Sequence, residues 1–285
     1  MRLASWSRGD ASSFGVVGTD GALYDVARRS GGRIGDLRGA LTSSAGLAAF
    51  AGGAPDARLA DVTLLAPIAN GAKILCVGVN YPERNAEYKD GSEAPRFPSL
   101  FVRFPSSFVG HGTPIVRPPE SRQLDYEGEI VLVIGRRGRR IAEAQANAHI
   151  FGLTLMNEGS VRDWIRHGKF NVTQGKNFER TGSIGPWIVP ITAATPLGEL
   201  TIVTRVNGEE RQRGNTGTLM FPFARIIAYV STFTTLEPGD LIATGTPPGA
   251  GGRFDPPRWL VPGDEVEVEC PAIGTLRNGV EDEKV

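Results

Sequence analysis

Gln123-Leu124-Asp125-Tyr126-Glu127-Gly128-Glu129-Ile130-Val131-Leu132-Val133-Ile134-Gly135 is the stretch on which the reading of this chain turns. From Ile130 onward it is apolar and β-branched, and it stops at a glycine, so it reads as a buried strand. Side chains alternate across a strand, which puts Glu127, Glu129, Val131 and Val133 on one face. Two carboxylates therefore point the same way at the entry of an apolar strand. Like charges side by side in a buried place need a cation, or one of them takes a proton. A hard divalent ion such as Mg2+ is the simplest resolution, because it prefers oxygen ligands. A frayed strand end with both glutamates in water is the alternative.

Working outward, the 285 residues are enough for one large domain plus a small one. Lys and Arg number 31, as do Asp and Glu, and the calculated pI is about 6.9, so neither a nucleic acid nor an anionic membrane is an expected partner. The basic cluster Arg136-Arg137-Gly138-Arg139-Arg140 resembles a nuclear-localisation pattern, but it follows a strand and reads as a solvated hairpin loop. Cys76 and Cys270 lie far apart in apolar stretches, without CxxC spacing, which suits reduced buried thiols in a cytoplasmic protein. The N-terminus has no apolar signal core, and no run approaches transmembrane length.

Residues 1–70 read as a small α+β module and residues 71–285 as the catalytic domain, with the boundary near Ile68–Lys73. In the module, strands are expected at Ser13–Val17, Ala22–Asp25 and Val62–Ile68, with weak helices around Ile34–Leu41 and Leu47–Ala51. Beyond it, strands are expected at Ile74–Val79, Ser99–Phe104, Phe151–Met156, Leu241–Thr244 and Glu265–Cys270. Asn207-Gly208 between Leu200–Val206 and Glu210–Arg213 is a strong hairpin signal, since both central positions of a type I′ turn need positive φ. Helical spacing appears at Ile141–Ile150 and, most clearly, at Phe223–Phe233. Short, turn-punctuated strands outnumber helices, which favours a mixed, mainly antiparallel β architecture over a doubly wound sheet.

Glu158, at the end of the strand expected before Asn157, is the best third partner for Glu127 and Glu129, and a helix N-terminal acid is its alternative role. Three carboxylates plus water suit Mg2+ or Mn2+ and leave positions open for a substrate. His111, His149 and His167 fit no zinc spacing. Thr244-Gly245-Thr246-Pro247-Pro248-Gly249-Ala250-Gly251-Gly252 is a strand running into a glycine-rich loop. Its backbone N–H groups could cradle a carboxylate, or it is a flexible surface loop; neither GxxxxGK[ST] nor GxGxxG is present. Lys176, beside Gly175 and an aromatic residue, could hold a substrate carboxylate or simply be solvated.

In order along the chain come Val77-Gly78-Val79-Asn80-Tyr81, Asp125-Tyr126-Glu127-Gly128-Glu129, Asn157-Glu158-Gly159-Ser160-Val161-Arg162-Asp163, Gly175-Lys176, Gly185-Pro186-Trp187 and Pro238-Gly239-Asp240…Thr244-Gly245-Thr246-Pro247. Together with Asn207-Gly208-Glu209…Arg211-Gln212…Asn215-Thr216, this order resembles the fumarylacetoacetate hydrolase family from about Lys73 to Asn278. The resemblance implies an α+β, mainly β fold, with a mixed β-roll or sandwich core and a small N-terminal domain. It also implies a homodimer or higher oligomer, a Mg2+ or Mn2+ ion, and small 2-oxo acids such as acylpyruvates as substrates. Glu127 and Glu129 match the family's two strand ligands, and Glu158 stands where aspartate is usual. Lys176 matches the active-site lysine. Thr246, with Gly245, matches the loop expected near the substrate carboxylate, and Tyr81 and Arg162-Asp163 also match.

The departure follows Tyr81. Hydrolytic members usually carry a histidine three residues on and a glutamate three further, which together activate water. Here those positions are Arg84 and Glu87, and arginine stays protonated at neutral pH. Arg84 could bind a carboxylate or stabilise an enolate, or merely pair with Glu87. A glutamine common two residues after the Arg-Asp is Ile165, and His167 lies nearby. The expected function is metal-dependent hydrolysis of a C–C bond in a 2-oxo acid, with Glu87 as base and Arg84 and Lys176 orienting substrate. A lyase, decarboxylase, hydratase or tautomerase is the first alternative, and a non-catalytic binding protein the second.

Overall fold

The computed structural model describes residues 1–43, 46–87, 95–169 and 171–284. The decisive stretch forms a strand at Gly128–Ile134 that is buried along its whole length. Its alternation divides two cores. Ile130, Leu132 and Ile134 join Ile226, Ile227 and Val230 of the helix Phe223–Phe233, together with Val268 and Leu276. Val131 and Val133 join Leu3, Phe14, Val16 and Leu37 from the N-terminal segment. A strand covered on both faces has no polar side to alternate with, which is why its sequence is a continuous apolar run.

This strand is central in the larger sheet, whose order is Ala57–Arg58, Ala22–Asp25, Ala11–Val17, Arg2–Arg8, Gly182–Pro190, Ile150–Asn157, Gly128–Ile134, Leu241–Ala243, Ile74–Val77 and Leu100–Val102. Its antiparallel pairing with Ile150–Asn157 sets Gly128 opposite Asn157. The next hydrogen bond, from Glu158 N to Glu127 O at 2.7 Å, brings the third acid level with the first two. A second sheet, ordered Glu209–Asn215, Thr201–Val206, Glu265–Cys270, Gly274–Asp282 and Ile115–Arg117, lies across the Leu132 side of the core. The fold is α+β and mainly β.

The expected division near residue 70 falls between Thr63–Leu65 and Ile74–Val77, and both sheet and core run across it. The join is made by Arg2–Arg8, which pairs Leu3 with Ile188 on one side and the whole of Ala11–Val17 on the other. That strand went unread in the sequence because it lacks a β-branched run; its partners make it. The helix expected over Ile34–Leu41 is Leu37–Thr42, capped by Asp36, which accepts from Gly39 N at 2.7 Å. The helical spacing at Ile141–Ile150 resolves as the 3-10 segment Glu143–His149. Phe223–Phe233 forms as expected, as does the hairpin at Asn207 (φ 52°) and Gly208 (φ 77°).

The basic cluster connects two antiparallel neighbours, as a hairpin loop should. Arg137 Nε lies 3.0 Å from Glu237 Oε1, and an Arg139 N–H donates to Thr232 O at 2.6 Å, at the C-terminal end of the long helix. Both cysteines are free and buried. No helix among the described residues is long and apolar enough to cross a membrane.

Two expectations follow from the packing. Leu132, fully buried between the layers, should cost about 2–5 kcal/mol when cut to alanine, read as a lower urea midpoint at unchanged slope. His111 Nδ1 accepts from Arg277 N at 3.1 Å, and burial, with the Arg277 charge, lowers its pKa below the ordinary 6.5. The unfolded chain therefore takes up this proton first as pH falls. The contribution is present above about pH 6.5 and is lost as pH drops through the folded-state value. His111→Gln should flatten that part of the Tm–pH curve.

Candidate active site

The register of the central strands sets three carboxylates together. Glu127, Glu129 and Glu158 are all buried, and each offers an oxygen within 4.8 Å of the others. The strand end is therefore not frayed into water. Glu158 Oε2 accepts from Lys176 Nζ at 3.1 Å, while its Oε1 is buried without a hydrogen-bond partner. Gly245 N donates to Glu129 Oε2 at 2.7 Å.

Glu127 is the hub. Its Oε1 accepts from Arg162 at 2.6 Å and Arg84 at 2.9 Å, and its Oε2 accepts from Lys176 Nζ at 2.5 Å and Ser160 Oγ at 3.3 Å. Burial works against its ionisation, but Arg162, Lys176 and Arg84 outweigh it and hold the carboxyl well below the usual range. Glu129 has no such cations. Burial, then Glu158, then Glu127 push its carboxyl well above the usual range. Burial likewise opposes the charge on Lys176, yet Glu127 and Glu158 raise its pKa, so the ammonium form is held.

An all-oxygen donor set with one unanswered oxygen fits a hard divalent cation such as Mg2+ or Mn2+. The extra methylene of Glu158, relative to aspartate, does not keep it from the cluster. Arg103, fully buried behind it, donates to Gly159 O at 2.9 Å and sits 3.9 Å from Glu158 Oε1.

A cavity of about 660 Å³ opens above Glu127 and Lys176, and Arg84, Phe101, Arg162 and Trp259 also line it. The Phe101 ring centroid is 5.1 Å from Lys176 Nζ. Of the residues expected at the site, the structure brings Glu127, Glu129, Glu158, Lys176, Arg84 and Arg162 together.

Four others are placed differently. Glu87 is not on the cavity wall: its Oε2 accepts from Arg84 at 2.6 Å and its Oε1 from Gly249 N at 2.9 Å. Thr246 Oγ1 donates to Gly128 O at 3.0 Å and accepts from Gln212 at 2.8 Å, so it fastens the loop to the central strand. Gly245 spends its N–H on Glu129. Tyr81 is buried in the main core and borders a separate cavity, with its pKa raised first by burial.

Asp125 was overlooked in the sequence. Fully buried, it accepts from Arg162 Nε at 2.6 Å and from Gly251 N and Gly252 N at 2.7 and 3.0 Å. An acid directly ahead of an aromatic, in a stretch otherwise bound for the core, was the available signal. Arg103, a lone charge ending an apolar strand, offered another.

Comparison with known proteins agrees with this geometry. Residues 73–281 match the family model described as fumarylacetoacetate (FAA) hydrolase C-terminal. The Homo sapiens mitochondrial oxaloacetate tautomerase FAHD2A is 39% identical over 85% of this chain and 77% of its own length. The Bacillus subtilis oxaloacetate tautomerase YisK is 40% identical over 78% of this chain and 74% of its own. Among solved structures, the Exiguobacterium antarcticum fumarylacetoacetate hydrolase superposes with a TM-score of 0.83 at 33% identity, covering 99% of this chain and 100% of that one. The Mycobacterium smegmatis 5-carboxymethyl-2-hydroxymuconate delta-isomerase does so at 0.78 and 30%, with the same coverage. The chain belongs to the fumarylacetoacetate hydrolase family.

Proposed function

We propose that this chain is a divalent-metal-dependent keto–enol tautomerase of a small 2-oxo acid, with oxaloacetate as the substrate suggested by the relatives' names. One observation carries the reading. At the position where hydrolysis calls for a histidine base, Arg84 is clamped between Glu87 at 2.6 Å and Glu127 at 2.9 Å. Arginine cannot take a proton from water, and both oxygens of Glu87 are engaged. Tautomerisation needs only one proton moved to or from carbon, and no activated water.

Glu127, Glu129 and Glu158 would hold the Mg2+ or Mn2+ ion, which supplies Lewis-acid charge toward the carboxylate and 2-oxo oxygens of the substrate. Arg84 and Arg162 keep guanidinium donors beyond those spent on Glu127, and these orient the substrate's carboxylate end. Lys176 Nζ is the proton carrier. In the enol-to-keto direction one of its N–H bonds breaks as a C–H bond forms at C3. The enol O–H proton leaves through water, and the amine is reprotonated. The reverse direction retraces these steps. Glu127 and Glu158 keep Nζ charged and aimed, and Phe101 packs beside it, limiting water.

Two measurements test this. Mg2+ added to the chelator-stripped protein should raise Tm, and Glu129→Ala should remove the rise; an equal rise in that variant would count against the carboxylate site. With Mg2+ present, the protein should speed decay of enol-oxaloacetate absorbance without releasing pyruvate. Lys176→Met should lower kcat by about 100-fold or more. Pyruvate from oxaloacetate would instead identify a decarboxylase, and pyruvate plus acetate from acetylpyruvate a C–C hydrolase.

A further inference from the structure

The cavity has an inner and an outer zone with different charge. In the inner zone each cation is matched: Arg84 by Glu87 and Glu127, Arg162 by Asp125 and Glu127, and Lys176 by Glu127 and Glu158. Two more arginines, Arg166 and Arg253, line the same cavity. Arg166 makes no ion pair among the described residues and is exposed. The acid near them on the wall is Asp163, whose Oδ1 accepts from Ser121 Oγ at 2.6 Å. The outer zone thus carries an excess of positive charge facing the ligand space.

These two arginines are not placed by chance of surface sequence. Arg166 follows the 3-10 turn Arg162–Trp164, and Arg253 closes the 3-10 turn Gly251–Arg253. Both turns are tied to the single buried carboxylate of Asp125, the first through Arg162 and the second through Gly251 N and Gly252 N. The second turn seats there because Gly251 has no side chain: an added Cβ would lie 2.1 Å from Arg258 O. One anchor under the floor therefore holds two cationic walls around one opening.

We propose that Arg166 and Arg253 form a subsite for the distal carboxylate of a dicarboxylic 2-oxo acid. The guanidinium fork matches a carboxylate in two parallel hydrogen bonds, which gives direction as well as charge. The ligand then spans the cavity, its 2-oxo-acid end at Lys176 and its far end at the mouth. This identity of the ligand rests on the tautomerase reading, but the presence of a second anion-binding end does not.

The test compares oxaloacetate with 2-oxobutanoate, which has the same carbon count and no distal carboxylate. Both are titrated calorimetrically into the Mg2+-loaded full chain, as wild type and as Arg166→Gln/Arg253→Gln. Wild type should prefer oxaloacetate by about tenfold or more, the equivalent of one charge-assisted contact, and the double variant should bring the ratio near one. Arg166→Lys/Arg253→Lys should restore only part of it, since lysine lacks the fork. A wild-type ratio near one, a ratio unchanged in the glutamine variant, or equal weakening of both ligands would overturn the subsite. Loss of the ratio in a protein that tautomerises neither acid would uphold the subsite while refuting the tautomerase reading.

Discussion

Burying an ionised carboxylate costs several kcal/mol unless positive charge and hydrogen bonds are arranged around it, and this chain buries Glu127, Glu129 and Glu158 side by side. That demand organises the structure around it. Glu127 alone is met by Arg84, Arg162 and Lys176, residues from a short helix, a turn and a second short helix far apart in sequence. Each of those segments is held in place as much by reaching Glu127 as by its own packing. The carboxylates left over, Glu129 and one oxygen of Glu158, are where the positive charge runs short. A site so built is stable in its framework and unsatisfied at one spot, which is the disposition a divalent cation completes.

The framework was legible in the sequence where local pattern and tertiary pairing agree. Gly128–Ile134, Phe223–Phe233 and the Asn207-Gly208 hairpin each carry a run, a period or a turn that only one structure satisfies. Arg2–Arg8 carries none of these; Gly182–Pro190 and Ala11–Val17 make it a strand, and no local rule reports a partner some 180 residues away. The same division runs through the site. Glu127, Glu129 and Glu158 could be found because two of them stand on one strand face and the third ends the paired strand. Asp125 could not, because its role is to accept N–H groups from Gly251 and Gly252, a contact fixed by the path of a loop.

Resemblance and geometry differ most usefully at Glu87, Gly245 and Thr246. A motif match assigns them to catalysis or to a substrate carboxylate. In the structure they hold other parts of the site: Glu87 fixes Arg84 to the glycine loop, Gly245 supports Glu129, and Thr246 with Gln212 fastens the loop to Gly128. Each is one bond removed from the cavity. Residues in such places are retained by the same chemistry whether the reaction is hydrolysis, decarboxylation or proton transfer, so their presence says little about which one occurs.

What does bear on the reaction is the group that lies within reach of both substrate and floor, and here that is Arg84. A histidine at this point would be a switchable base; an arginine is a permanent charge. Pinned by Glu87 and Glu127, it adds a fixed positive potential to a cavity that already holds Lys176 and Arg162. Such a field stabilises negative charge developing on substrate oxygen, which is what enolisation requires. It offers nothing that removes a proton from water. The same substitution therefore weakens the case for hydrolysis and strengthens that for proton transfer at carbon, with Lys176 the group placed to make it.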